Sequence, residues 1–126
     1  MNTYEVHILQ AMQLGFNQEY AELAPSLEEV KGQSGFVLLE FGAPWCGHCQ
    51  AASTVIQSLL MAHPTLPHIK VYDGKGKKLG RQFKVTLWPT FILLKDGNEV
   101  NRWVRVTQQN ELNELDSLLG THPSTR

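Results

Sequence analysis

The sequence predicts an α/β domain: a central mixed β-sheet with helices on both faces. Three observations carry that expectation. Residues 36–41, FVLLEF, are almost wholly apolar, as a strand covered on both faces reads. Segments of strand character are separated by segments of helical period, which places helices between strands. The chain has 126 residues, 42% hydrophobic and 18% charged, which suits one domain with a real core and not a disordered chain.

The elements follow in chain order. Residues 3–14 carry a broad apolar stripe at helical spacing, which Gly15 and Asn17 interrupt. Residues 18–23 have the length of a short edge strand. Pro25 and Ser26 precede LEEVKG, a short helix that stops at Gly32. After the strand at 36–41 comes the turn GAPWCGHC, then a helix from about Cys49 to Ala62, ended by His63 and Pro64. IKVYD at 69–73 reads as a second strand, stopped by the Gly-rich DGKG. A short helix around 77–83 leads to two strands joined by a hairpin at Asp96–Gly97, with Asn98 at the loop. Leu112, Leu115, Leu118 and Leu119 recur at helical spacing in the last element, which Gly120 and Pro123 close. The expected order is β-α-β-α-β-β-α. It divides the chain into an N-terminal helical extension (1–17), a main domain (18–120) and a C-terminal tail (121–126).

Eleven basic residues against twelve acidic ones leave a net charge of −1. That balance gives no reason to expect nucleic-acid or polybasic membrane binding. Lys75, Lys77, Lys78, Arg81 and Lys84 cluster, and a solvated loop and helix accounts for them. No apolar run approaches the roughly 20 residues of a membrane helix. The first residues have no Lys or Arg near Met1, and Glu5, His7 and Gln10 interrupt their apolar run, unlike a secretory signal. A cytoplasmic location is therefore expected.

The chemistry points to Trp45-Cys46-Gly47-His48-Cys49, between a buried strand and a helix. Two cysteines separated by two residues can close a disulfide across the first helical turn. Only a thiolate attacks a disulfide, and the helix N-terminus favours it on the first cysteine. His48, when protonated, adds positive charge nearby. Cys46 is thus the expected attacking thiol, and Cys49, one turn deeper, resolves the mixed disulfide. The pair could instead be half of a zinc site or two ordinary buried cysteines. There is no second C-x-x-C, and His7, His63, His68 and His122 lack paired ligand spacing.

LEFGAPWCGHC at 39–49 resembles the active-site segment of the thioredoxin superfamily, and VTLWPTFILLKDG at 85–97 resembles its cis-proline segment. The inner Gly-His pair is similar to that of protein disulfide isomerase domains. The similarity spans roughly residues 18–119 and implies a thioredoxin fold. It also implies that Pro89 is a cis-proline facing Cys46, with the Trp88 backbone pairing with an extended substrate and Trp45 and Gly47 lining the docking surface. Glu40 matches the buried acid behind the resolving cysteine, where it would shuttle a proton to or from Cys49. Lys70 lies near the family's lysine partner for that acid, although a solvated surface position is expected for it. The chain departs from the family pattern at Gly42, where a bulky aromatic is common, and at Trp88, where a small or β-branched residue is usual. It departs again at Val104-Arg105-Val106-Thr107, where the family tends to have a glycine.

The expected function is an intracellular, monomeric thiol–disulfide oxidoreductase acting on disulfide-containing protein substrates. It needs no metal or organic cofactor beyond the Cys46–Cys49 redox disulfide, and a reductase recycles its dithiol. Two alternatives are an oxidase or isomerase of an oxidising compartment, and a thioredoxin-fold binding module or assembly chaperone with little redox turnover.

Overall fold

The computed structural model describes residues 3–120. Its elements are α1 (Thr3–Ala11), β1 (Met12–Leu14), α2 (Leu27–Lys31), β2 (Phe36–Gly42), α3 (Gly47–Met61), β3 (Pro67–Tyr72), α4 (Leu79–Gln82), β4 (Thr90–Lys95), β5 (Asn98–Val104), a 3₁₀ turn (Gln109–Leu112) and α5 (Asn113–Leu119). The five strands form one mixed sheet in the order β1-β3-β2-β4-β5. β2 and β3 run parallel, and the other three pairings are antiparallel. This is the architecture of the thioredoxin fold.

The apolar run of β2 serves two cores because successive side chains point to opposite faces. Val37, Leu39 and Phe41 join Ile8, Ala11, Val30, Leu79 and Phe83, which come from or follow α1, α2 and α4. Phe41 and Phe83 meet tilted, with ring centroids 5.8 Å apart. Leu38 turns the other way, with Phe91 and Leu93, onto Ile56 and Leu60 of α3 and Leu112 and Leu115 at the C-terminal end. Glu40 shares that second face.

Local chemistry sets the element ends. Ser26 accepts the Glu29 amide while the Glu29 carboxylate accepts the Ser26 amide, a complete capping box on α2. The hairpin at Asp96–Gly97 has φ of 51° and 84°, the left-handed pair of a type I′ turn. A Cβ at Gly97 would also lie 2.1 Å from the Lys31 carbonyl oxygen, so the turn sits directly on α2. Asn98 opens β5 rather than lying in the loop.

The N-terminal region departs from the expected layout. The helix ends at Ala11, and Met12–Leu14 is the edge strand, antiparallel to β3. Residues 18–23 form no strand beyond a single bridge between Ala21 and Val71. The reason is backbone pairing: β3 offers a free edge immediately after α1, and a strand satisfies it where further helix would not. Gly15, at φ 79°, then turns the chain back along the sheet. A boundary between residues 17 and 18 therefore cuts through packed structure. Asn17 is 5% exposed, and its side-chain amide donates to the carbonyls of Ala11 and His68 at 2.9 and 3.0 Å. The tail at 121–126 lies outside the described residues.

Asn17→Ala leaves those two buried carbonyls without their donor. The expected loss is about 1–3 kcal/mol of unfolding free energy, read as a lower urea midpoint at unchanged slope. A loss within about 0.5 kcal/mol, typical of surface substitutions, would mean that Asn17 does not tie the edge strand to the sheet.

Candidate active site

The site lies where β2 ends and α3 begins. Cys46 is the N-cap of α3, with extended backbone at φ −83° and ψ 120°, and its sulfur accepts the Cys49 amide at 3.3 Å. One orphan helix amide is thus satisfied by sulfur, at the end of the helix where negative charge is stabilised. Gly47 and His48 form the first turn and are exposed. Cys49 is 3% exposed and Cys46 8%, and both are free thiols. Burial and the hydrogen bond with Cys46 push the Cys49 thiol up to about 12. The two sulfurs therefore sit in different environments one helical turn apart.

Behind Cys49, the Glu40 side chain is buried between two donors. Tyr20 donates its hydroxyl proton to Oε2 at 2.5 Å, and His68 Nε2 lies 2.9 Å from Oε1. The Asn17 backbone amide donates to His68 Nδ1 at 3.0 Å, so Nδ1 is an acceptor and Nε2 carries the proton given to Glu40. Both Glu40 oxygens then accept, which suits a carboxylate. Burial and the neighbouring Glu40 charge hold the Tyr20 hydroxyl far above the usual phenol range.

Lys70 pairs with Glu40 in the β2–β3 register but does not hydrogen-bond it. Its ammonium donates to the carbonyls of Asn17 and Gln18 at 3.2 and 2.9 Å and lies 4.4 Å from the Tyr20 ring centroid. It is 3% exposed, not a surface lysine, because the loop at residues 16–20 closes over it. The acid's direct partners, Tyr20 and His68, are functional candidates that the sequence reading missed. His68 carries a trace of a signal as a polar residue at the start of the apolar IKVYD strand; Tyr20 carries none.

Tyr20 also accounts for Gly42. A Cβ on Gly42 would lie 2.6 Å from both Cys49 Sγ and the Tyr20 hydroxyl oxygen. No side chain fits while the phenol occupies that space.

The outer face is aromatic. Trp45 is 65% exposed and meets Trp88 edge-on, with ring centroids 5.4 Å apart. Trp88 donates its indole N–H to Asp73 at 2.9 Å and packs against the cluster of Ala43, Cys46 and Cys49. Desolvation by burial raises the Asp73 carboxyl, against the lowering effect of the indole hydrogen bond. The Trp88–Pro89 peptide is cis, and Thr90 closes the turn with a hydrogen bond from its hydroxyl to the Leu87 carbonyl. Arg105, at φ 55°, donates its backbone amide to the Pro89 carbonyl and its Nε to the Trp88 carbonyl at 3.0 Å. Arg105, within the stretch where the family tends to have a glycine, thus caps the Trp88 backbone.

The family model described as Thioredoxin matches residues 21–117. The chain belongs to the thioredoxin family. The Chlamydia trachomatis thioredoxin is 37% identical over 84 residues, covering 67% of this chain and 82% of that protein. The solved structure of reduced thioredoxin 2 from Pseudomonas aeruginosa PAO1 superposes with a TM-score of 0.75 at 44% identity, covering 84% of this chain and 99% of that one. A protein disulfide-isomerase from Hordeum vulgare is 32% identical over 82 residues, 60% of this chain but only 16% of that protein. With its Cys46–Cys49 pair, the chain is a protein thiol–disulfide oxidoreductase. Thioredoxins act on disulfide substrates and are recycled by a reductase. Among the described residues, no helix is long and apolar enough to cross a membrane, and no group of three or more His, Cys, Asp or Glu could hold a metal ion.

The raised Cys49 thiol predicts one-sided labelling. Its ordinary value is near 9 and its value here about 12, so at pH 7 Cys49 stays protonated and unreactive. Iodoacetamide followed by peptide mapping should find the label on Cys46. Equal labelling of Cys49 at that pH would contradict the assigned environments.

Proposed function

We propose that Cys46 is the nucleophile that opens substrate disulfides and that Cys49 resolves the resulting mixed disulfide, with Glu40 as the base for that second step. The observation that carries this reading is the asymmetry of the pair. Cys46 caps the positive end of α3 with its sulfur, while the Cys49 thiol is held at about 12 and needs a base. Electrons pass from the dithiol to the substrate: the substrate S–S bond breaks, the Cys46–Cys49 bond forms, and two substrate thiols leave. The same steps in reverse oxidise a dithiol.

The docking surface is formed by Trp45, Gly47, Trp88 and Pro89. An extended substrate segment pairs with the Trp88 backbone beside the sulfurs and displaces the Arg105 guanidinium from the Trp88 carbonyl. No metal or organic cofactor takes part. The protein works as a monomer in the cytoplasm, on disulfide-containing protein substrates, and a dedicated reductase restores the dithiol.

Insulin reduction tests the assignment. Cys46→Ser should abolish turnover, and Cys49→Ser should accumulate a mixed disulfide through Cys46. A Cys46→Ser protein that still reduces insulin would remove the nucleophile assignment and favour some other thiol route.

His48 sets direction. When protonated it favours thiolate on Cys46, and thiolate exists only in the reduced form. Stabilising the reduced form makes the disulfide more oxidising, with about 30 mV for each 1.4 kcal/mol in a two-electron couple. His48→Pro should therefore make the protein more reducing in glutathione buffers. A variant equally or more oxidising at every pH would mean that His48 does not tune the pair.

A further inference from the structure

Cys49 must lose its proton to attack, yet Glu40 is hydrogen-bonded to Tyr20 and His68 and not to the thiol. The group that reaches both is the Tyr20 hydroxyl. Its proton points at Glu40 Oε2, and its oxygen stands beside Cys49 Sγ over Gly42, both atoms 2.6 Å from where a Cβ on that residue would lie. We propose that Tyr20 carries the proton between Cys49 and Glu40, and that Gly42 keeps the two atoms in reach of one another. This inference rests on the reading of Glu40 as the base in the resolving step.

The directions of the hydrogen bonds make the route one-way at its far end. His68 Nδ1 is occupied by the Asn17 amide, so His68 can only donate to Glu40 Oε1. Oε2 is the oxygen free to take a proton, and Tyr20 already donates to it. The phenol oxygen keeps lone pairs that can accept from the thiol. A stepwise route through tyrosinate is closed, since burial and the Glu40 charge hold that hydroxyl far up. The two protons must shift together. The Cys49 S–H bond breaks and its proton goes to the Tyr20 oxygen, while the Tyr20 proton goes to Glu40 Oε2. Tyr20 is neutral before and after. The new Cys49 thiolate attacks Cys46 Sγ in the mixed disulfide, the Cys46–Cys49 bond forms, and the electron pair leaves on the substrate sulfur, which takes a proton from water. No outside oxidant or reductant is required.

The other titratable groups here are Cys46 on α3, His68 and Lys70 on β3, and Tyr72 at the end of β3. The Lys70 ammonium, under the Tyr20 ring and bonded to the Asn17 and Gln18 carbonyls, anchors the loop that aims the phenol. Tyr72 packs beside the cysteine cluster. Tyr20, Cys49 and Gln50 also line an open cleft of about 550 Å³, through which hydroxide can reach the thiol when the relay is cut.

The test is single-turnover mixing of the reduced protein with a disulfide peptide, with attack and release timed separately, in Tyr20→Phe, Glu40→Gln and the double variant. In Tyr20→Phe, attack should change far less than release, and release should slow about 100-fold at pH 7, the scale of one general-base contribution. The deficit should close as pH rises towards the Cys49 ionisation. The double variant should be no slower than either single one. Release by the unmodified protein should show a curved proton inventory in mixed light and heavy water, from two protons in flight, and Tyr20→Phe a linear one. Normal release in Tyr20→Phe with slow release in Glu40→Gln overturns the relay and leaves the Glu40 assignment standing. Normal release in both removes Glu40 from the step, and the relay with it. If Tyr20→Phe does not fold, Gly42→Ala carries the test. Its methyl must push the thiol and phenol apart, so slow release supports the relay and normal release overturns it.

Discussion

The burial of one carboxylate organises this molecule. Glu40 is 1% exposed in the middle of the sheet, where an uncompensated charge would cost several kcal/mol. It is tolerated because two donors reach it, and each donor imposes its own requirement. His68 must present Nε2–H, which depends on the Asn17 amide at Nδ1. Asn17 in turn is held by the last carbonyl of α1 and by His68 itself. Tyr20 must pass over residue 42, which therefore has no side chain. Lys70 closes the arrangement by binding the loop carbonyls before Tyr20. Asn17 and Tyr20 lie ahead of the segment that the family model matches, yet they complete the site.

The same chain of contacts separates the chemistry of the two sulfurs. Cys46 belongs to the helix end, and Cys49 to the buried network. A dithiol needs that division, because one sulfur must be ready to attack and the other must wait until the mixed disulfide exists. The opposite side of the pair is aromatic, where Trp45 meets Trp88. There Trp88 is fixed by Asp73 and Arg105 covers a backbone carbonyl, in the two segments where the chain departs from the family pattern.

Much of this was legible in order along the chain. A short apolar run bounded by turn signals reads as a doubly covered strand. An Asp-Gly pair between two strands can adopt the left-handed turn, and a C-x-x-C opening a helix places one sulfur at its positive end. These features are local, so Phe36–Gly42, the hairpin and the roles expected of Cys46 and Cys49 follow from neighbouring residues alone. Glu40 could be singled out as an acid among apolar neighbours, although alternation could not say which face it took.

What only the tertiary structure decided depends on residues far apart in sequence. Whether Met12–Leu14 continues a helix or forms an edge depends on the free side of β3, more than 50 residues later. Lys70 reads as a surface lysine until the loop at 16–20 folds over it. Tyr20 has no local pattern to mark it, since what sets it apart is its place over a glycine 22 positions away and beside a carboxylate and a thiol. The sequence by itself determined the strands, the turn and the reactive pair, because short-range periodicity and helix-end electrostatics act within a few residues. The partners of the buried acid were decided by packing, because hydrogen bonds between distant segments exist only once the sheet has brought those segments together.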